Sequence, residues 1–371
     1  MPPRPTDAER ARLHAVFAQL CRIASPFGHE DEIAAAVRDE LEAMGLDVEV
    51  DGFGNVFTRI PGPPTPSERS ILLCAHLDTV PQRGPIEPVE VDEGWENAHD
   101  DILGADNKAA VAVMLLAAER AVRQRQPLGI ELLFTRQEEN GLNGAAAFDA
   151  SRLRSEFGFV YDHATPIGEI VMASPTFYRL TARFHGRAAH AGIRPEDGRS
   201  AIVAAARAIV ALRLGRLDAE TTANVGTIEG GVGGTNVVPE YASFLAEARS
   251  LDVDKLEALV AEMIDAIHVA ANDATCDVDA DVTVEKVFTG YRHSPSSPAV
   301  LAAEAALRAT GYEPRPIVSG GGSDANAFER NGFHCVCLAN GTERNHEPTE
   351  RVSFVALEDM LSVTLALLEV A

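Results

Sequence analysis

Positive charge is what this chain has least of. Its 371 residues carry 32 lysines and arginines against 56 aspartates and glutamates, a formal net charge of −24 at pH 7. Such a surface repels phosphate backbones, which argues against nucleic acid as a partner. Long apolar runs are missing too. None approaches a membrane span, and the N-terminus lacks the apolar core of a signal peptide, so the expectation is a cytoplasmic chain with no membrane partner. The five cysteines include no C-x-x-C pair, which removes a zinc ribbon, and they read as buried thiols rather than disulfides. The Gly-rich stretch 319–326 lacks the Gly-Lys-Ser/Thr of a phosphate loop. What remains is ordinary for a soluble globular protein, 46% hydrophobic and 24% charged, with a length that favours two domains.

Helical spacing of apolar residues opens the chain over 7–23 and 29–44, followed by short strands at 48–50, 56–60 and 71–75. An apolar helix over 105–124 and buried strands at 130–135 and 158–161 continue the alternation. Apolar strands alternating with helices predict an α/β fold, a mixed and mostly parallel sheet covered by helices on both faces. Near Pro175 the pattern changes. Residues 177–184 alternate with period two, then come a helix (198–214), two strands (222–228 and 241–249), a helix (253–271) and a strand (282–287). That β-α-β-β-α-β order is ferredoxin-like. The expected organisation is a larger domain formed by 1–174 and 290–371, with a module of residues 175–289 inserted into it.

The chemistry-bearing residues gather at strand ends. His76 and Asp78 lie two apart where an apolar strand stops, so strand alternation puts them on one face, the carboxylate orienting the imidazole toward a metal. Asp78 as a simple turn cap is the competing reading. Asp106 sits at the mouth of the next helix, either capping it or bridging two cations with its two oxygens. Glu138 and Glu139 follow the strand 130–135. Adjacent acids there are either solvated or divide the labour, one binding metal and the other taking a proton from water. Asp162 ends the strand after that, and open α/β sheets place their ligands at such carboxyl ends. His346, in a polar loop near the C-terminus, supplies the imidazole a second cation would lack. Two histidines and three carboxylates suit two zinc ions per subunit, with cobalt or manganese as tolerable substitutes.

In this order and spacing, the segments resemble the dinuclear zinc exopeptidase family that includes peptidase T, the glutamate carboxypeptidases, the aminoacylases and succinyl-diaminopimelate desuccinylase. The resemblance spans nearly the whole chain. Residues 319–326, and Asn107 after Asp106, look most similar to the peptidase T-like branch. The likeness implies a catalytic domain with an inserted lid and dimerisation domain, and a homodimer formed through that lid. It implies that His76, Asp106 and Asp162 hold one zinc and Asp106, Glu139 and His346 the other. Asp78 would partner His76, Glu138 would be the general base, and the Asp106–Asn107 peptide would be cis. Within the lid, His190 of a His-Ala-Gly signature would stabilise the oxyanion, acting across the dimer. Asn236, Arg249 and Gly321 would contact substrate, although an ordinary salt bridge competes for Arg249. Peptidase T itself carries an arginine where this chain has Gly320. The implied function is cleavage of short peptides by a di- or tripeptide exopeptidase of aminopeptidase type, through a metal-bridging water that Glu138 activates. Removal of an acyl group from an N-acyl amino acid is the second reading. A non-catalytic binding protein on the same fold is the third.

Overall fold

The computed structural model describes residues 4–63, 69–124, 126–231 and 233–371. These divide into two compact units, one of residues 1–173 and 292–371, the other of residues 174–291.

The larger unit is built on a twisted mixed sheet. Its strands run in the order Val48–Val50, Val56–Ile60, Gly129–Thr135, Ser70–His76, Phe157–His163, Cys335–Ala339 and Glu169–Ser174. The four central strands, Gly129–Thr135 through Cys335–Ala339, are mutually parallel, and antiparallel strands flank them. Every residue of Ser70–His76 is buried, as a strand covered on both faces requires. Ile71, Leu73 and Ala75 join the main core with the helix Ala105–Arg123. That helix is rich in alanine, and its small side chains let it pack closely against strands and helices alike. The alternate residue Cys74 lies instead against Asp324, first residue of the short helix Asp324–Arg330.

A small antiparallel sheet, Thr342–Glu343, Arg351–Ser353, Gly94–Asn97 and Pro88–Val91, has no counterpart in the sequence pattern. Its strands are too short and too polar to show a period. It matters here because the loop carrying His346 and Glu350 is strung between two of its strands.

The smaller unit is an antiparallel sheet ordered Gly215–Arg216, Thr221–Gly230, Tyr241–Ser250, Thr176–His185, Asp279–Phe288. The helices Ala201–Ala211 and Val253–Ala271 supply its second core, packing on Leu180, Phe184, Phe244 and Ala246. Apart from the two-residue edge strand, this is the β-α-β-β-α-β order that the alternation predicts. All five cysteines are buried and unbridged. Among the described residues, no helix is long and apolar enough to cross a membrane.

Candidate active site

Parallel strands end at one edge of the larger sheet, and the polar residues predicted from sequence gather there. His76 closes Ser70–His76, Asp162 lies near the end of Phe157–His163, and Glu138 and Glu139 follow Gly129–Thr135. Gly104 has φ +73, a left-handed conformation that lets the chain turn into the helix bearing Asp106. His346 reaches in from the loop after Thr342–Glu343, its own backbone also left-handed at φ 67.

Two triads result, His76 with Asp106 and Asp162, and Asp106 with Glu139 and His346. His76 Nε2 is 3.3 Å from Asp106 Oδ1 and 3.6 Å from Asp162 Oδ1. His346 Nε2 is 3.4 Å from Asp106 Oδ2 and 2.8 Å from Glu139 Oε1. Each oxygen of Asp106 thus faces a different histidine. Ligands of one tetrahedral zinc, each about 2.0–2.1 Å from it, lie about 3.3–3.4 Å apart. His76 Nε2 and Asp106 Oδ1 are also buried without a hydrogen-bond partner. An unsatisfied buried polar atom costs about 1–3 kcal/mol, and a cation shared by these two would remove the cost from both. The donor set therefore fits two divalent cations, with Asp106 between them. Glu138 completes a further group with His76 and Glu139, their ligand atoms within 4.8 Å of one another.

The electrostatics say the same. Burial pulls the His76 imidazole down, but Asp106, Asp162 and Asp78 outweigh it and hold the ring well above its ordinary value. Asp106 and Glu139 hold His346 up at about 10. Burial, reinforced by the Asp106 charge against His76, raises Asp162 to about 7. Burial and the charge of Asp162 push Glu138 well above the usual carboxylate range. This many desolvated acids in one place is a site that lacks positive charge.

Comparison with known proteins places this arrangement. The sequence pattern "Peptidase dimerisation domain" matches residues 176–275, and "Peptidase family M28" matches residues 55–170. The uncharacterized protein YqjE of Bacillus subtilis (strain 168) is 36% identical over 370 residues, 97% of this chain and 98% of that protein. The crystal structure of aminopeptidase PepT from Bacillus cereus superposes with a TM-score of 0.83 at 35% identity, covering 97% of this chain and 98% of that one. A tripeptidase from Staphylococcus aureus gives 0.89 at 31% identity, with the same coverage. The chain belongs to the dinuclear metallo-exopeptidase family, in its peptidase T-like branch.

How this exopeptidase holds its ligand atoms in place was only partly foreseen. The strand ends at His76, so alternation does not carry through to Asp78. The His76 Nδ1 bonds the Asp78 backbone carbonyl at 2.9 Å, while the nearer carboxylate oxygen is 3.5 Å away. The Asp78 carboxylate also accepts the amides of Glu138 and Glu139, each at 3.0 Å. It thereby fixes the backbone of both glutamates. The Asp106–Asn107 peptide is cis, and Asn107 Nδ2 donates to the Tyr161 carbonyl at 2.5 Å.

Glu350, Glu30 and Asp324, all buried, have no place in the sequence reading. Glu350 Oε2 accepts the amides of Leu103 and Gly104 at 2.8 and 2.7 Å, and its Oε1 accepts that of Asp106 at 2.8 Å. Glu30 accepts the Gly28 amide and the Arg136 guanidinium, bracing the turn ahead of Glu138. Asp324 accepts the Thr135 hydroxyl, and burial raises it to about 6. Glu350→Gln would turn an amide donor toward a backbone N–H. The expected result is a loss of about 1–3 kcal/mol in stability, with metal affinity falling about 10–100-fold. Denaturant unfolding and zinc competition titration measure the two, and unchanged metal affinity would rule out Glu350 as a support of Asp106.

The inserted unit separates its three candidates. The Ala191 amide bonds the Asn236 carbonyl at 2.9 Å and the Val238 amide bonds that of Ala189 at 2.8 Å, so His190 and Asn236 stand side by side, both exposed. Arg249 lies near the other end of Tyr241–Ser250, on the order of 27 Å from Tyr241 at about 3.4 Å per residue. It pairs with Glu247 at 3.1 Å and covers the Phe177 ring at 4.4 Å, the salt bridge that competed with a substrate role. In the larger unit, the Gly321 amide donates to the Ser319 hydroxyl oxygen at 3.0 Å.

Proposed function

We propose that this protein is a peptidase T-like metallo-exopeptidase that removes an N-terminal residue from short, unblocked peptides. The observation that carries the reading is the pair of triads sharing Asp106, with Glu138 beside them, in a chain 35% identical to an aminopeptidase over nearly its whole length. His76, Asp106 and Asp162 would hold one zinc and Asp106, Glu139 and His346 the other. The ions would supply Lewis acidity to the attacking water and the scissile carbonyl.

The remaining steps belong to side chains. Glu138, with its basicity raised by burial and by Asp162, takes the proton from the attacking water and returns it to the leaving amine. Asp78 keeps that carboxylate aimed by anchoring its backbone. His190 donates to the developing oxyanion, where a fixed donor in a water-poor site contributes several kcal/mol. The inserted unit, residues 175–289 in the sequence reading, serves as lid and dimerisation domain. Arg249 lies opposite Phe177, whereas the pairing runs on past Tyr241 opposite His185 to Val237 opposite His190, so Arg249 and the His190–Asn236 pair belong to opposite ends of this ladder. A homodimer in which His190 and Asn236 act on the partner's site would bring all three to one short substrate. At Gly320 a Cβ would meet no atom within 4 Å, so packing does not demand glycine there. Without an arginine at that position the site holds one fixed cation fewer for a substrate carboxylate and tolerates more than one peptide length.

The expected result is hydrolysis of both unblocked dipeptides and tripeptides, lost on chelation and restored by zinc, cobalt or manganese, with N-acyl amino acids left intact. Release of free amino acid, followed by mass spectrometry across that panel, decides it. Cleavage of N-acyl amino acids alone would replace this reading with the acyl-removing one.

A further inference from the structure

A second group of ligand-type side chains shares no residue with the dinuclear set. His293, Glu329 and His334 each present one ligand atom, and these atoms lie within 4.8 Å of one another. Glu329 Oε1 is 3.2 Å from His334 Nδ1 and 3.8 Å from His293 Nδ1. These separations bracket the spacing of about 3.3–3.4 Å between ligands of one tetrahedral ion.

Three different parts of the larger unit deliver the group. His293 follows the point where the chain re-enters that unit at Arg292, and its amide is bonded to the Met172 carbonyl at 2.8 Å. Glu329 lies near the C-terminal end of Asp324–Arg330. His334 immediately precedes the strand Cys335–Ala339, at its amino end, whereas the dinuclear set gathers at the carboxyl ends of parallel strands. The Cys335 amide donates at 2.9 Å to Glu329 Oε1, the oxygen that faces both histidines, and holds it in place, the kind of support that metal-binding carboxylates receive. His293 is 7% exposed and held in place. The His334 side chain is 64% exposed, which leaves solvent access for an ion.

We propose that His293, Glu329 and His334 form a third, mononuclear site for a divalent transition cation such as zinc. Two imidazoles and a carboxylate are the donor set such ions take, with the open side left to water. The ion joins residues far apart in sequence and closes the loop between 293 and 329. It is therefore a structural clip on the returning chain, since cross-linking a loop stabilises by the entropy it removes from the unfolded state.

The test uses the full-length protein, stripped with a chelator and then equilibrated with zinc buffered from the nanomolar to the micromolar range. Wild type should bind one zinc per chain more than either His334→Ala or Glu329→Gln, as read by elemental analysis. The side-chain carbonyl introduced by Glu329→Gln can still accept the Cys335 amide, and His334 is largely exposed, so both variants should keep the wild-type circular dichroism. Peptide hydrolysis by His334→Ala at saturating zinc should match wild type. Equal zinc content in all three proteins would overturn the site and leave an ordinary His334–Glu329 ion pair. Because the readout is a difference of one equivalent, it stands whether or not the dinuclear site behaves as proposed above.

Discussion

Glu138→Gln should retain about two zinc ions per chain at the dinuclear site while turnover falls about 10²–10⁴-fold, the range for loss of a general base. Binding and proton transfer are divided between adjacent glutamates. Glu139 is 2.8 Å from His346 and belongs to a triad with Asp106, so it stays with the ligand set. The Glu138 carboxylate is raised well above the usual range by burial and by Asp162, as a group that takes and returns a proton should be. Glutamine is nearly isosteric, and the amides of 138 and 139 remain bonded to Asp78, so the loop keeps its shape. Zinc content by elemental analysis, beside kcat on an unblocked tripeptide, separates the two roles. If metal disappears together with activity, the glutamates have been assigned in reverse. If neither changes, another group moves the proton.

The residues that converge here were visible in the sequence for one reason. Each of His76, Glu139 and Asp162 sits at or just past the end of an apolar strand, and the parallel order brings those ends to one edge. The inserted unit was visible because its strands alternate cleanly between buried and exposed positions, as Tyr241–Ser250 does. The supporting acids had no such signal. Glu350 lies in a loop between two short polar strands, and its value comes from three amides about 245 residues earlier in the chain. Glu30 reads as an acid at a helix start, and Asp324 as the first residue of a short helix. Neither carries a pattern that reveals burial. The second role of Asp78, toward the glutamates, was invisible because strand periodicity says nothing of contacts past the last strand residue. Its backbone carbonyl and one carboxylate oxygen face His76, and the carboxylate also meets two amides brought by a different loop. Periodicity finds residues that share an element, whereas hydrogen bonds between elements appear only in the fold.

Asp106→Ala is expected to weaken both cations together, by about a hundredfold or more each, since even loss of a supporting contact to a ligand costs about 10–100-fold. His346→Ala should weaken mainly one. The asymmetry follows from geometry: Asp106 faces His76 through Oδ1 and His346 through Oδ2, whereas His346 approaches only Asp106 and Glu139. In the Asp106→Ala variant the backbone position should survive, because the residue's amide is held by Glu350 and not by its own side chain. Loss of metal would then reflect loss of the carboxylate rather than of the fold, and unfolding of the metal-free proteins checks this directly. Removing His346 still leaves His76, Asp106 and Asp162, so that variant should keep about one tightly held zinc at this centre. Zinc titration against a chromophoric chelator resolves one strong site in His346→Ala and none in Asp106→Ala, with His334→Ala in the background of each to remove the separate clip. Equal depletion in the two variants would mean that Asp106 serves a single ion, and the shared-carboxylate assignment would fall.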